Sequence, residues 1–273
     1  MMNYIEIHFD VLQADTRDLL VAMLPSFGFS GMEETEFGLK AYAMKGMEDM
    51  LTLDALCSQL KVQYTNTILE EQNWNSSWES NFDPVVIPGK IHVRAHFHPS
   101  LDGFEHEILI TPKMSFGTGH HATTRMMMKG MLEMNVSEKT VLDFGTGTGI
   151  LAILAERLGA SEIEAIDNDN WSISNVRENI ALNHATRIRV AQADNLDDSS
   201  PCDLMLANIN KHVLLEQVAP MVNLLQPGGI LLMSGLLESD YTDIVEAFSP
   251  YLGQPVQRYT DSGWIALSFR HPF

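Results

Sequence analysis

Residues 141–150 read Val141-Leu142-Asp143-Phe144-Gly145-Thr146-Gly147-Thr148-Gly149-Ile150. Val141 and Leu142 begin an apolar strand, three alternating glycines make a turn, and the apolar run Ile150 to Leu158 continues as a helix. Glycines at 145, 147 and 149 let the backbone come close to a ligand, and the helix that follows points its N-terminal N–H groups at it. An ordinary strand-to-helix turn needs fewer glycines. The stretch therefore predicts a nucleotide-type pocket at the end of a strand.

Spacing narrows the ligand. A dinucleotide fingerprint is G-x-G-x-x-G, whereas this loop is G-x-G-x-G preceded by Asp143, which weakens the dehydrogenase reading. A second strand, Glu162-Ile163-Glu164-Ala165-Ile166-Asp167, runs into Asn168 and Asp169. Acids lying about twenty residues past such a loop hold a ribose through its hydroxyls, so Asp167 and Asp169 are the candidates. D-x-G-x-G-x-G followed by a strand with a terminal acid resembles the S-adenosylmethionine (SAM) pocket of class I methyltransferases.

Towards the C-terminus, Arg189 to Ala193 reads as a third strand. Asp194 and Asn195 follow it, either reading an adenine amino group or forming a plain loop. Cys202 to Asn208 is a buried strand leading into Asn208-Ile209-Asn210-Lys211, a carboxyl strand end of the kind where α/β sheets bind ligands. A helix Val213 to Leu225, a turn Gln226-Pro227-Gly228-Gly229, a strand Ile230 to Ser234 and a helix Tyr241 to Phe248 continue the alternation. Val256 to Tyr259 and Trp264 to Phe269, joined by Asp261-Ser262-Gly263, read as a closing hairpin.

Towards the N-terminus, Thr111-Pro112-Lys113-Met114-Ser115-Phe116-Gly117-Thr118-Gly119-His120-His121-Ala122-Thr123-Thr124 precedes a methionine-rich helix, Arg125 to Met134. This segment is placed to fold over the cofactor. Thr123 and Thr124 fit either a helix cap or hydroxyl contacts to the ligand. Four histidines crowd at 92, 96, 98 and 106, yet Ile91, Val93, Ala95 and Phe97 alternate with His92, Arg94, His96 and His98. An arginine among the histidines opposes a cation, so a solvated strand face is expected and no metal site.

Residues 3 to 10 alternate as a half-buried strand. A helix over Ala14 to Leu24, two strands between Gly31 and Met44 turning at Phe37-Gly38, a helix over Met47 to Leu60 and a strand over Lys61 to Leu69 complete a small α+β unit. The pattern is ferredoxin-like. It holds no catalytic cluster, which suits recognition. Trp74, Trp78 and Phe82 then share one helix face, suited to packing between domains more than to substrate contact, before Pro84 and Ile87-Pro88-Gly89 end the linker.

The chain has 273 residues and a net charge of −19, from 17 basic and 36 acidic residues. That balance opposes a broad nucleic-acid-binding face. Residues 1–89 hold fourteen acids and four bases, a net of −10, which favours attraction of a basic protein. Cys57 and Cys202 lie in unrelated patterns and are expected to be buried thiols. No stretch is apolar enough to span a bilayer, and Glu6 and Asp10 argue against a secretory leader, so a cytoplasmic protein is expected. It is expected to be a monomer.

The order F-G-T-G-H-H-x-T-T, L-D-F-G-T-G-T-G-I-L-A-I, A-I-D-N-D and A-N-I resembles the ribosomal protein L11 methyltransferase (PrmA) family over most of the chain. The resemblance implies a class I methyltransferase domain over 90–273, with a Rossmann-like seven-stranded sheet, a linker over 72–89, and a ferredoxin-like recognition domain over 1–71. It implies SAM-dependent methylation of lysine and α-amino groups on that ribosomal protein. The cofactor contacts would be Thr123, Thr124, Asp143, Gly145, Gly147, Gly149, Asp167, Asp169, Asp194 and Asn208, with Asn208 and Thr124 catalytic. His120 or His121 would either take a proton or structure the loop. Family members usually have N-I-L where this chain has Asn208-Ile209-Asn210, followed by Lys211; a lysine is unfavourable beside a sulfonium, so Lys211 is expected to point outward. Rival readings are a class I methyltransferase acting on another protein or a small molecule, a nicotinamide oxidoreductase, and a module that binds SAM without transferring its methyl.

Overall fold

The computed structural model describes residues 4–11, 13–35, 38–46, 48–69, 83–111 and 117–272. The chain divides into two compact units, Met1–Ser77 and Trp78–Phe273. Trp74, Trp78 and Phe82 lie outside the described residues. Among those described, no helix is long and apolar enough to cross a membrane.

In the first unit β1 (Tyr4–Asp10), α1 (Ala14–Met23), β2 (Phe29–Thr35), β3 (Gly38–Met44), α2 (Met50–Leu60) and β4 (Gln63–Leu69) follow one another. The sheet is antiparallel in the order β2-β3-β1-β4, the ferredoxin-like arrangement. Alternation in β1 works as expected: Ile5, Ile7 and Phe9 are buried, while Glu6 and His8 are half-buried. Leu20 of α1 and Leu53 and Cys57 of α2 join them in one core. Asp49 caps α2 by accepting the Thr52 N–H at 3.1 Å.

The second unit opens with a three-stranded sheet, β5 (Val85–Ile87), β6 (Ile91–Arg94) and β7 (His106–Leu109). The seven-stranded sheet follows, built from β8 (Thr140–Phe144), β9 (Glu162–Asp167), β10 (Ile188–Gln192), β11 (Cys202–Asn208), β12 (Leu225–Leu237), β13 (Gln257–Asp261) and β14 (Trp264–Arg270). Its order is β10-β9-β8-β11-β12-β14-β13. The first five strands are parallel and the last two antiparallel to their neighbours. The central strands are apolar on both faces: Val141, Leu204 and Leu206 enter one core, while Leu142, Met205 and Ala207 enter the other. Helices α3 (Ala122–Leu132), α4 (Ile150–Arg157), α5 (Asn170–Leu182), α6 (Lys211–Glu216), α7 (Val218–Leu224) and α8 (Tyr241–Leu252) complete the unit. The single helix expected over Val213 to Leu225 is two, broken at Gln217.

The histidine strand departs from expectation. β6 ends at Arg94, and the loop before β7 lays Phe104 over the His92 end of the face read as solvated, while His96 stays exposed. His92 is fully buried and stacks on Phe104 at 5.2 Å, while Phe97, expected inward, is exposed. Arg94 forks onto Glu107 at 2.8 and 3.0 Å and, with the Ser100 hydroxyl, pulls that carboxyl down to about 2. Alternation within one strand cannot report a cover supplied from elsewhere in the chain.

A ladder of side-chain amides ties β7 to α5. Asn183 accepts the Leu109 N–H at 2.9 Å and donates to the Leu109 carbonyl at 2.6 Å, as a neighbouring strand would. One turn earlier Asn179 accepts the Thr111 N–H and donates to the Thr148 carbonyl, both at 2.8 Å. Thr148 in turn donates its hydroxyl to the Gly117 carbonyl at 2.7 Å. Residues 109–111, the glycine loop and α5 are thus joined through one buried amide.

Candidate active site

The sheet order reverses beside β8, which has β9 on one side and β11 on the other, so a crevice opens beyond the carboxyl ends of these strands. A cavity of about 500 Å³ occupies it. Its lining follows the sheet: Asp194 after β10, Asp167 at the end of β9, Gly145 and Gly147 after β8, Asn208 ending β11, Gly235 in β12, and Trp264 opening β14. β14 is antiparallel to β12, which brings its first residue to this same end.

The glycine loop is drawn tight. Gly145, Gly147 and Gly149 all have positive φ, at 74°, 55° and 80°. Gly145 and Thr146 both donate their N–H to the Ile166 carbonyl at 2.9 Å. A Cβ on Gly145 would come within 2.3 Å of Ile209, and one on Gly149 within 2.4 Å of Val176. Asp167 braces the loop by accepting the Gly147 N–H at 2.9 Å.

Of the ten residues expected at the cofactor, Thr123, Gly145, Gly147, Asp167, Asp194 and Asn208 line the cavity. Thr124, Asp143, Gly149 and Asp169 do not. Asp169 is taken up in capping α5, accepting the Ser172 N–H at 2.8 Å, so of the two acids offered for a ribose only Asp167 faces the cavity. Gly149 sits at the N-terminus of α4 against Val176. Thr124 stands behind Asn208, its hydroxyl accepting from the Asn208 amide nitrogen at 3.3 Å. Neither threonine caps α3. His121 does, its Nδ1 accepting the Thr123 N–H at 3.4 Å, and the same nitrogen meets the Thr123 hydroxyl at 2.7 Å. His120 bonds the Asp83 carbonyl and the Thr118 hydroxyl, at 2.7 and 3.1 Å.

Asp143 is buried beneath the loop and accepts the Thr146 hydroxyl at 2.6 Å. Burial pushes its pKa up to about 7, against the opposing pull of that hydrogen bond. The unfolded carboxyl ionises near 4, so between about pH 4 and 7 the folded state holds a proton that the unfolded state has released. Asp143 therefore lowers stability as pH rises through that window and adds no further slope above it. Urea denaturation of Asp143→Asn is expected to show a shallower decline across pH 4 to 7, the difference reaching at most about 1.4 kcal/mol per pH unit.

Asn208 is buried, and its Oδ1 has no hydrogen-bond partner among the described residues. With its nitrogen turned to Thr124, this oxygen remains as an acceptor in a residue that lines the cavity. Asn210 also lines the cavity and caps α6, accepting the Val213 N–H at 3.1 Å. Lys211 does not line it; the ammonium bridges Asp240 at 2.7 Å and Asp243 at 3.0 Å. Gly235 and Trp264 were not foreseen from the sequence. An isolated glycine inside an apolar strand signals a close backbone approach, and that cue was available at Gly235.

This strand order, a glycine loop after the first parallel strand, and an acid at the end of the second define a class I SAM-dependent methyltransferase. Cavity size and the half-buried Asp167 carboxylate on its wall suit a nucleoside ligand. Residues 30–272 match the model of the ribosomal protein L11 methyltransferase (PrmA) family, and the chain belongs to that family. It is 41% identical over 263 residues to the ribosomal protein L11 methyltransferase of Porphyromonas gingivalis, covering 92% of this chain and 90% of that one. The protein of the same name from Phocaeicola vulgatus is 35% identical over 278 residues, covering 98% and 99%. A crystal structure of a ribosomal protein L11 methylase from Lactobacillus delbrueckii subsp. bulgaricus superposes with a TM-score of 0.64 at 27% identity, covering 70% of this chain and all of that one.

Proposed function

We propose that this enzyme methylates amino groups, lysine side chains and an α-amine, of ribosomal protein L11. The observation that carries the amine reading is Asn208: a buried carboxamide oxygen with no partner among the described residues, on a residue that lines the cavity, its nitrogen held by Thr124. Membership of the family supports the choice of protein. The acidic N-terminal portion, with a net of −10 over residues 1–89, suits a basic substrate, and we assign the first unit to recognition.

SAM, when bound, supplies a methyl group on a positively charged sulfur that departs as a neutral thioether. Asp167 would hold the ribose hydroxyls, Asp194 the adenine amino group, and Gly145 and Gly147 would let the backbone close on the cofactor. A protonated ammonium has no lone pair, so the acceptor must arrive neutral. Carboxylates line the β9 and β10 side of the cavity, while the side formed by β11, β12 and β14 carries none among the described lining residues. Nothing there holds a proton on the nitrogen. The Asn208 oxygen accepts an N–H from the amine and sets its lone pair in line with the methyl group, and alignment is the main service such a site performs.

Intact-mass spectrometry of purified ribosomal protein L11, incubated with the enzyme and SAM, is expected to show gains in whole methyl units. No gain from an enzyme that still binds SAM would assign the pocket to another acceptor.

A further inference from the structure

We propose that Trp264, braced by His121, is the wall that selects the acceptor. The indole face stabilises the positive charge that builds on the nitrogen in each transfer and retains the methylated amine at the site, which favours repeated methylation of one nitrogen. The proposal rests on the amine reading above.

Three features fix this wall. Asp261 pairs with Trp264 across a two-residue turn, Ser262-Gly263, and both turn residues have positive φ, 54° and 80°, the geometry of a type I′ hairpin. Arg125 at the start of α3 bonds Asp261 at 2.9 Å and also the His120 carbonyl. The His121 ring meets the indole edge-to-face at 4.6 Å, and Thr123 fixes that ring. A hairpin tip is ordinarily free to move; this one is tied to the helix that borders the cavity.

The chemistry of successive rounds gives the wall its use. In each round the nitrogen lone pair forms the N–C bond while the C–S bond breaks with its electrons going to sulfur, and the nitrogen becomes cationic. Loss of an N–H proton to solvent restores the lone pair for the next round. Each methyl removes one N–H, so the hold of Asn208 Oδ1 weakens as methylation proceeds and vanishes on the quaternary product. Attraction between a cation and an aromatic face needs no N–H and persists. On this side of the cavity no carboxylate competes for the cation among the described lining residues. Asn208 thus governs the first transfer and Trp264 the later ones.

The test is a time course of L11 methylation by intact mass, fitted to separate rates for each methyl. Trp264→Leu is expected to lower the ratio of the third rate to the first by about tenfold, with Trp264→Phe staying within about threefold of the parent. Calorimetry with SAM checks that the cofactor pocket persists in both. An unchanged ratio in the leucine variant, or an equal loss in the phenylalanine variant, overturns the proposal. Should the parent enzyme leave L11 unmodified, the substrate assignment fails separately, and tetramethylammonium becomes the probe. Its methyl NMR line, broadened by the parent enzyme loaded with S-adenosylhomocysteine and sharp with Trp264→Leu, supports the wall; equal broadening by both overturns it.

Discussion

Asn208→Ala is expected to lower the single-turnover rate of methyl transfer by about 10²- to 10³-fold, the cost of removing one oriented polar group from a reacting centre. SAM affinity should change by no more than about threefold, because the role proposed for the amide oxygen is toward the acceptor amine. Asn208→Asp separates charge from shape. A carboxylate there would hold the proton on the amine, so its activity should be lost near neutrality and return as pH rises. Rapid-quench assays with saturating SAM across pH 7 to 10 would make the comparison. A parental rate in the alanine variant would remove Asn208 from the reaction.

Gly235→Ala should be nearly as damaging from a residue that bears no side chain. A Cβ at this position would lie 2.2 Å from the Ile209 carbonyl oxygen and 2.7 Å from its carbon. Backbone cannot step aside by changing rotamer, so the Ile209 peptide must move and carry Asn208 with it. Misplacement of a reacting group by about 1 Å costs about 10²-fold in rate, and the positive φ of 86° adds conformational strain. We expect a fall of about 10²-fold in kcat and a Tm lower by about 5 °C or more. Gly103→Ala is the control: its φ is 90°, with nothing within 4 Å of the added carbon. It should lose a little Tm and no activity. Equal kcat losses in the two variants would point to strain, and the collision would not be the cause.

The glycine loop, the acid ending β9 and the asparagine ending β11 were legible because each is a local pattern: a few consecutive residues state the turn, the strand end and the chemistry. The ferredoxin-like unit was legible for the same reason, since the alternation of Ile5, Ile7 and Phe9 reports its buried face directly. What stayed hidden depends on pairing across the chain. Trp264 reaches the site only because β14 inserts antiparallel between β12 and β13. His92 is buried by residues after position 94, and Asp169 and Thr124 were read by residue type, whereas their hydrogen-bond partners decide their work. Lys211 is instructive in the other direction. The repulsion expected between an ammonium and a sulfonium is met by two carboxylates that bridge the lysine, Asp240 and Asp243.

The amide ladder of α5 bears on how this chain tolerates change. Asn179 serves Thr111 as an acceptor and Thr148 as a donor. Aspartate has its shape but lacks the donor, serine lacks its reach, and glutamine would have to bend within a fully buried space. Position 179 therefore admits almost no drift, although the side chain does not line the cavity. Intolerance to substitution is therefore expected of the braces of the cofactor loop as well as of the groups that meet the ligand.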